Sequence, residues 1–194
     1  MYYTTRILLY TYQKYYSLIE PFLEEKIKTG QIIGIEISKK AIVKLEKAYA
    51  KDRRIEEPKV IAEQYMEGDM YSIDSYVNSR GVVYHLPLVR VKTGKDIGHQ
   101  DFYGYQQMTP TILKGETVKR AETVTETAIH ALGLRSTTVH TELMKIDTVW
   151  KVVEVGPRMG GARDELYALS CNIDHPLNDI LIRIPKTPKI PKKC

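Results

Sequence analysis

The chain has 194 residues, of which 27% are charged, and its formal net charge at pH 7 is +5. This length leaves room for one substantial domain or two small lobes. The sequence excludes a membrane span, because it has no uninterrupted apolar run of about 18 residues, and its first residues do not follow the plan of a secretory signal. Two cysteines, Cys171 and Cys194, are too few for a disulfide framework and indicate a reducing, cytoplasmic environment. We expect Cys171 to be a small buried side chain.

Apolar spacing and turn residues predict a mixture of strands and helices in the N-terminal half. The predicted elements are, in chain order, a helical segment over 1–25, a strand over Ile32–Ile37, an amphipathic helix over Lys39–Asp52, a strand over Ile61–Val77, a turn at Asn78–Gly81 and a strand over Val82–Val91. Such a turn-rich connection is typical of neighbouring strands.

A long loop over Val91–Leu113 follows these strands and is the predicted substrate side. It contains glycines, polar groups and three aromatic residues, and long connections of this kind bind ligands more often than they pack. We expect Arg90, His99 and Asp101 to meet the charged groups of an amino-acid substrate. A mobile surface loop with scattered polar residues is the alternative interpretation.

Beyond this loop, apolar spacing predicts a helix over Thr117–Leu132 that ends at Gly133. Two short β-rich stretches, Val139–Ile146 and Trp150–Val155, then form a predicted antiparallel hairpin. Short helices complete the pattern. Antiparallel strands with helices grouped to one side indicate an α+β fold.

The predicted hairpin places one carboxylate in each of two otherwise apolar strands. Glu142 shares a face with His140, and Glu154 is expected to share a face with Trp150 and Val152. A connection with an odd number of residues would place the two glutamates opposite each other, whereas a two-residue turn would place them on opposite faces. Like charges that face each other destabilise a sheet unless a cation lies between them. A facing pair therefore predicts a divalent metal site.

The chemistry of the residues around the pair indicates which ion it would bind. Two carboxylates without nearby cysteines or paired histidines suit Mg²⁺ or Mn²⁺, with nucleotide phosphates as further ligands. The segment GPRMGG at 156–161 follows directly, and the guanidinium of Arg158 can hold a phosphate or carboxylate with two parallel hydrogen bonds. A solvated hairpin with ordinary surface glutamates and a glycine-rich turn is the competing interpretation.

These motifs together resemble a known family. HTEL at 140–143, followed by EVGPRMGG at 154–161, resembles the C-terminal half of an ATP-grasp domain of the carboxylate–amine ligase type. The stretch VIAEQYMEGDMYSID at 60–74 resembles the hinge strand of that family, which runs along the adenine. The resemblance extends over roughly 32–174. It implies an α+β, ATP-grasp-like fold of antiparallel sheets with helices packed on one side, in two small lobes.

The resemblance also implies roles for individual residues. Arg158 is the implied catalytic residue, Glu142 and Glu154 are the implied ligands of Mg²⁺ or Mn²⁺, and Gly160 and Gly161 lie on the implied substrate side. The residues implied to bind ATP are Lys28, Glu63, Gln64, Tyr65, Met66 and Asp69. The implied partners are the nucleotide and small carboxylate and amine substrates.

The activity that follows from the resemblance is that of an ATP-dependent ligase. A carboxylate of an amino-acid or peptide-like substrate is activated as an acyl phosphate and is then attacked by an amine. Two alternatives stay open. One is an ATP-grasp enzyme of another substrate class, such as a carboxylase or acid–thiol ligase, and the other is a nucleotide-binding module without independent catalysis.

Three positions depart from the family pattern. Met70, with Asp69 beside it, stands where the family places a glutamate that takes the ribose hydroxyls. Gly156 stands where an asparagine often serves as a third metal ligand, so metal coordination rests on two side chains. The lysine-glycine segment around Lys28 is shorter than the usual phosphate-covering loop.

The predicted organisation is an N-terminal helical segment (1–25), an ATP-grasp-like domain (26–182) and a basic Pro/Lys tail (183–194). Because the family's N-terminal Rossmann-like domain is missing from this plan, three interpretations stay open: an excised piece, a chain without part of its glycine loop, or a half-site completed by a partner chain or by a second copy in a homodimer. The basic tail and fourteen tyrosines also raise a nucleic-acid hypothesis. It is disfavoured, since most tyrosines fall at strand or helix spacing.

Overall fold

A computed structural model describes residues 66–99, 103–191 and 194 of this chain. The chain divides into two compact units, Met1–Glu67 and Gly68–Cys194, and the elements described here belong to the second unit. Three predicted elements lie outside the described residues: the helical segment 1–25, the strand Ile32–Ile37 and the helix Lys39–Asp52.

A six-stranded antiparallel sheet forms the centre of the second unit. Its strands are β1 (Asp69–Val77), β2 (Val83–His85), β3 (Val89–Thr93), β4 (Gly104–Met108), β5 (Thr137–Ile146) and β6 (Val149–Gly156). The order across the sheet is β4-β3-β1-β5-β6, and β2 also pairs with β1. The described residues further form the helices α1 (Glu116–Ala131), α2 (Arg163–Cys171) and α3 (His175–Arg183), and a short 3-10 helix at Gly94–Ile97.

Helices cover both faces of the sheet, whereas the sequence pattern predicted helices on one side. On one face, Tyr71 and Ile73 of β1 pack with Ala121 of α1. On the other face, Tyr76 of β1 packs with side chains of α2 and α3, including Tyr167. Since β1 is buried without interruption from its third residue onward, both sides of this central strand need apolar cover. The observed elements form an α+β architecture.

The predicted strand Val82–Val91 is interrupted and forms two short strands, β2 and β3. Pro87 lies between them, and a proline has no N–H to donate to a neighbouring strand. The turn before β2 lies at Asn78–Gly81, as predicted from the sequence. There, the side-chain oxygen of Asn78 accepts hydrogen bonds of 2.9 Å from the backbone N–H groups of Arg80 and Val82.

The segment predicted as a long loop over Val91–Leu113 contains regular structure, so that prediction was wrong in part. A backbone N–H of Thr93 donates to Asp96 at 2.6 Å and helps begin the 3-10 helix. Strand β4 then pairs with β3 at the edge of the sheet. Its sequence, Gly104-Tyr-Gln-Gln-Met108, is too polar to show the alternation of a half-buried strand.

The β5–β6 hairpin turns at Asp147 and Thr148, a connection of two residues between the paired Ile146 and Val149. Asp147 has a φ of 51°, a left-handed conformation that two-residue hairpin turns require. With regular pairing, a turn of this length would place the two glutamates of the hairpin on opposite faces of the sheet.

A β-bulge in β6 instead places the two glutamates on the same face of the sheet. Leu143 pairs with Val152, but the next pair is Glu142 with Glu154, so Val153 is an extra residue in β6. A bulge of this kind shifts the alternation of side chains by one position. The glutamates therefore face each other across a two-residue turn, which regular strand alternation does not allow.

The same bulge corrects the predicted faces of β6. Trp150 and Val152 pack on the α1 side of the sheet, whereas Glu154 is paired with Glu142 on the opposite side. The expectation that all three β6 side chains share one face is therefore wrong, because Val153 interrupts the alternation between them.

The predicted helix over Thr117–Leu132 is confirmed as α1. It ends where the sequence indicated, since Gly133 follows with a φ of 65°, a conformation that glycine adopts without strain. Among the described residues, no helix has both the length and the apolar character needed to cross a bilayer.

Cys171 and Cys194 are joined by a disulfide bond, with their Cα atoms 4.2 Å apart. Cys171 is buried as expected, and a single bond is consistent with a cysteine count too low for a disulfide framework. The pairing depends on the return of the C-terminal segment over the helices. That return is fixed by Asn178 of α3, whose side-chain amide forms two hydrogen bonds, of 2.6 and 3.1 Å, with the backbone of Lys189.

Candidate active site

The two glutamates of the hairpin are neighbours on the sheet face that α2 and α3 partly cover. Glu142 on β5 lies directly opposite Glu154 on β6. The side chain of Glu142 is 28% exposed and that of Glu154 is 56% exposed, so both carboxylates are within reach of a ligand from solvent. This is the arrangement that the metal hypothesis requires.

Each carboxylate of the pair has a cationic neighbour. Nε2 of His140 lies 3.6 Å from Oε1 of Glu142, and Nη2 of Arg158 lies 3.6 Å from Oε1 of Glu154. The interaction with His140 lowers the pKa of the Glu142 carboxyl, although its partial burial acts in the opposite direction. Glu142 is therefore held as a carboxylate beside positive charge.

The carboxylate of Asp74 on β1 is fully buried and holds the groups around Glu142 in place. Nδ1 of His140 lies 2.5 Å from one of its oxygens, and Nε2 of His175 lies 2.7 Å from the other. The backbone N–H of Gly160 donates to Asp74 at 2.9 Å. We refer to Asp74, His140, His175 and Gly160 as the Asp74 network.

Hydrogen bonding outweighs burial in setting the charge of the Asp74 network. Burial by itself raises the pKa of Asp74, but hydrogen bonds from His140, His175 and the Gly160 N–H hold it well below its usual range. Burial by itself lowers the pKa of His140, but its hydrogen bonds with Asp74 and Glu142 raise it to about 9. An ionised Asp74 next to a protonated His140 is the favoured state at neutral pH.

The Asp74 network ties the glycine-rich segment to the sheet. Gly160 approaches so closely that an added Cβ would lie 2.5 Å from Nδ1 of His140, whereas a Cβ on Gly161 would meet nothing within 4 Å. The first glycine is therefore required by close packing, which a sequence motif alone does not reveal. Through this contact, the segment that carries Arg158 is positioned against the strand that carries Glu142.

A second buried charge, Arg163 at the start of α2, lies on the same face. Its side chain donates to Oγ of Ser72 at 2.7 Å, to the side-chain oxygen of Gln107 and to the carbonyl oxygen of Gly161 at 3.3 Å. The residue is 3% exposed, and its Nε has no hydrogen-bond partner among the described residues.

Two of the predicted ligand-binding residues pair with each other on the opposite face of the sheet. Nη2 of Arg90 lies 2.8 Å from Oδ1 of Asp69, and the Arg90 guanidinium lies over the ring of Tyr71, 5.0 Å from its centroid. Since Tyr71 packs on the α1 side, the structure does not bring Asp69 or Arg90 to the glutamate pair. Strand alternation in β1 separates them.

The remaining predicted residues are distributed as follows. His99 follows the 3-10 helix and stacks on Tyr105, with ring centroids 5.6 Å apart. Met66 is half-buried at the start of the described region. The other predicted residues lie outside the described residues: Lys28, Glu63, Gln64, Tyr65 and Asp101.

The glutamate pair fits a hard divalent cation that also has ligands from a bound molecule. Its donors are carboxylate oxygens, which suit Mg²⁺, and two like charges directly opposite each other on a sheet favour a cation between them. Within the part of the chain that the structure describes, no group of three or more His, Cys, Asp or Glu side chains is arranged to hold a metal ion. Glu142 and Glu154 would therefore supply only part of the coordination, and nucleotide phosphates would supply more.

The family of the chain is decided by a comparison with family models. A model of the ATP-grasp domain matches residues 25–165, a span that includes the glutamate pair, Arg158 and the Asp74 side chain. The chain belongs to the ATP-grasp domain family. This confirms the resemblance inferred from the hinge and hairpin motifs, and no curated protein matches the chain.

Solved structures with the ATP-grasp fold are similar to this chain. Phosphoribosylglycinamide synthetase from Anaerococcus prevotii is 15% identical with a TM-score of 0.60, and the match covers 98% of this chain and 49% of that one. L-amino acid ligase from Bacillus licheniformis is 21% identical with a TM-score of 0.59, covering 83% and 38%. N5-carboxyaminoimidazole synthetase from Staphylococcus aureus, complexed with ADP, is 15% identical with a TM-score of 0.58, covering 96% and 48%.

These likenesses establish the fold and no more, since the identities are low. The α+β, ATP-grasp-like fold predicted from the sequence is confirmed. The chain spans between 38% and 49% of the length of these three structures. The activity and substrates of the whole protein are therefore matters of proposal.

Sequence reasoning missed four buried polar residues of the site and one half-buried residue, Gln107; the buried ones are Ser72, Asp74, Arg163 and His175. One signal was available, because an aspartate in the strand sequence Tyr-Ser-Ile-Asp-Ser-Tyr-Val is expensive to bury without partners. Its partners are 66 and 101 residues away in sequence, so no local pattern identifies them.

Proposed function

We propose that this ATP-grasp chain forms the catalytic part of an ATP-dependent ligase that joins a carboxylate to an amine. The substrate is an amino acid or a peptide-like acid. The observation that carries the proposal is the hairpin register, in which Glu142 is opposite Glu154 and the Arg158 guanidinium is 3.6 Å from Glu154. Two carboxylates and an arginine at one site suit the transfer of a phosphoryl group from a metal-bound nucleotide.

The two glutamates would hold Mg²⁺ together with the phosphates of ATP. When bound, the ion neutralises negative charge that develops on the transferred phosphoryl group. His140 keeps Glu142 ionised and oriented, and Asp74 fixes His140 in turn. Mn²⁺ has the same preference for oxygen ligands and is the alternative ion.

Arg158 would hold the phosphoryl oxygens or the substrate carboxylate. Its contact with Glu154 is exposed and 3.6 Å long, so the pair is weak and the guanidinium is available for a ligand. A planar guanidinium offers two parallel N–H groups to the oxygens of a phosphoryl group or a carboxylate.

The proposed reaction has two steps. An oxygen of the substrate carboxylate attacks the γ-phosphorus of ATP, the bond from that phosphorus to the bridging oxygen breaks, and ADP leaves an acyl phosphate behind. The amine nitrogen then attacks the acyl carbon, the bond to the phosphate oxygen breaks, and the nitrogen loses a proton to solvent. No side chain needs to act as a covalent nucleophile.

A nucleotide-binding module without independent turnover is the second candidate. It is favoured by Met70, which occupies the position where the sequence resemblance expects a ribose-binding glutamate. Met70 is half-buried and packs against the core cluster around Tyr76, so this position contributes apolar packing and no hydrogen bond to a ribose.

Phosphate release separates the two candidates. The protein is incubated with Mg²⁺-ATP and pooled standard amino acids, and phosphate is measured together with the mass of any amide product. The ligase proposal predicts phosphate and amide in equal amounts, both dependent on Mg²⁺ and on the amino acids. Binding of Mg²⁺-ATP without phosphate release from any pool would instead favour the module.

A further inference from the structure

Arg163 is a buried cation whose hydrogen-bond partners are all neutral. Its hydrogen bonds go to a hydroxyl (Ser72), a side-chain amide (Gln107) and a backbone carbonyl (Gly161). No carboxylate of the described residues lies within 4.0 Å of its guanidinium. Its Nε is buried without a hydrogen-bond partner in the same part of the chain.

A buried cation with only neutral hydrogen-bond partners destabilises the ligand-free protein. Removal of a charged side chain from water carries a large free-energy penalty, which a nearby opposite charge normally offsets. Buried charges are therefore usually paired or bound to a ligand. Arg163 is 3% exposed. Its three neutral acceptors, and the Glu142 carboxylate that it attracts from beyond 4.0 Å, compensate it only in part.

The position of Arg163 links it to the glutamate pair. Ser72, which accepts one of its hydrogen bonds, is directly opposite Glu142 across β1 and β5. Gln107, which accepts another, lies on β4 at the far edge of the sheet. The guanidinium thus lies beside the proposed metal site, on the side towards the edge strand β4.

The two groups that bind Nη1 of this guanidinium lie at or near the protein surface. Gln107 is half-buried, and Gly161 is exposed. Both are hydrogen-bonded to the same nitrogen of Arg163, Nη1. An incoming oxyanion would take the place of these two neutral acceptors on Nη1.

We propose that Arg163, framed by Ser72 and Gln107, is an anion subsite that binds a carboxylate of the acid substrate. The inference rests on the proposed ligase function and adds to it the subsite that orients the acid next to the glutamate pair. A carboxylate matches the two N–H groups of the guanidinium as two parallel hydrogen bonds. Inorganic phosphate shares this oxyanion chemistry, and the test separates the two.

The decisive variant is Gln107→Glu, which supplies the missing carboxylate from the protein itself. The substitution conserves shape and places a negative oxygen on Nη1 of Arg163. We expect the thermal midpoint of the ligand-free protein to rise, because the buried cation gains a charged partner. We expect affinity for the carboxylate ligand to fall by about tenfold to a hundredfold, since the subsite is already filled.

Gln106→Glu is the matched control. Gln106 is the exposed neighbour of Gln107 on the same strand, so the control makes the same charge change without a contact to the buried guanidinium. We expect its midpoint and its affinity for the carboxylate to stay near the wild-type values.

The probes are the standard amino acids, their carboxyl-amidated forms and inorganic phosphate, each titrated by calorimetry in the presence of Mg²⁺-ADP. The proposal predicts that at least one amino acid binds the wild type, that its amide does not, and that Gln107→Glu loses this binding while Gln106→Glu keeps it. Binding of inorganic phosphate alone would assign the subsite to the phosphoryl group and overturn the carboxylate proposal.

Arg163→Gln provides a second test that does not depend on the new carboxylate. If the variant folds, it should lose amino-acid binding and keep Mg²⁺-ADP binding. Unchanged amino-acid affinity in Gln107→Glu or Arg163→Gln would show that Arg163 only stabilises the fold and binds no substrate. Failure of every amino acid to bind the wild type would lead to the same conclusion. Failure of Mg²⁺-ADP itself to bind would instead contradict the proposed function, so the two failures are distinguishable.

Discussion

Replacement of Asp74 with alanine is expected to lower the free energy of unfolding by about 3–5 kcal/mol, the range for removal of one partner from a buried charge network. Asp74 is fully buried, and three donors would lose their acceptor: the two imidazoles and the Gly160 N–H. The measurement is urea or thermal unfolding of the ligand-free protein. For a chain of this size the thermal midpoint should fall by roughly 10 °C.

Asp164→Ala is the control for this substitution. Asp164 is exposed in the first turn of α2, where a carboxylate contributes only about 0.3–1 kcal/mol through the helix dipole. If the free energy of unfolding of Asp74→Ala were within about 1 kcal/mol of the wild-type value, the Asp74 network would not stabilise the fold as described here.

Replacement of Glu154 with glutamine is expected to abolish metal-dependent phosphate release while leaving the fold intact. The amide keeps the shape of the side chain but removes one of the two carboxylates that would hold the ion. We expect a loss of about a hundredfold or more in turnover, comparable with removal of other groups that stabilise transition-state charge. The thermal midpoint of the ligand-free protein should hardly change, since Glu154 is 56% exposed and its contact with Arg158 is weak.

Glu165→Gln serves as the matched control, because Glu165 is an exposed glutamate of α2. It should retain full phosphate release and the same Mg²⁺ dependence. Retention of full activity by Glu154→Gln would remove the basis for a metal site at the hairpin, whatever the control showed.

The hairpin shows which features of the site could be predicted from the sequence and which could not. The alternation of apolar residues is sufficient to locate both strands and the glutamate within each of them. The facing arrangement could not be deduced, since a two-residue turn argues against it. It depends on a bulge at Val153, and nothing in the local sequence Lys-Val-Val-Glu distinguishes a bulged residue from a paired one.

The interior of the site was beyond the reach of sequence patterns for a different reason. Asp74, His140 and His175 come from β1, β5 and α3, and only the closed fold brings them within hydrogen-bond distance. The same holds for Arg163, which reaches across the sheet to Ser72 and Gln107. Periodicity reports which face of an element is buried, but it does not report which polar side chains meet there.

Edge elements were hard to predict because they bury little apolar surface. Strand β4 is largely exposed, and its pairing with β3 is made by backbone groups rather than by an apolar side-chain pattern. The disulfide was missed for a related reason, because the C-terminal segment returns to α2 through backbone hydrogen bonds to Asn178. In each case, contacts distant in sequence determine the local structure.

The central claim is that the hairpin glutamates form a metal-dependent nucleotide site, and the most direct measurement is the thermal midpoint with and without Mg²⁺-ADP. A ligand that binds only the folded state stabilises it by about 2.7 kcal/mol at a hundredfold excess over its dissociation constant. We predict a rise of roughly 5–10 °C for the wild type, absent when Mg²⁺ is chelated and absent in Glu154→Gln. A midpoint that does not respond to Mg²⁺-ADP, or one that rises equally in Glu154→Gln, would contradict the account.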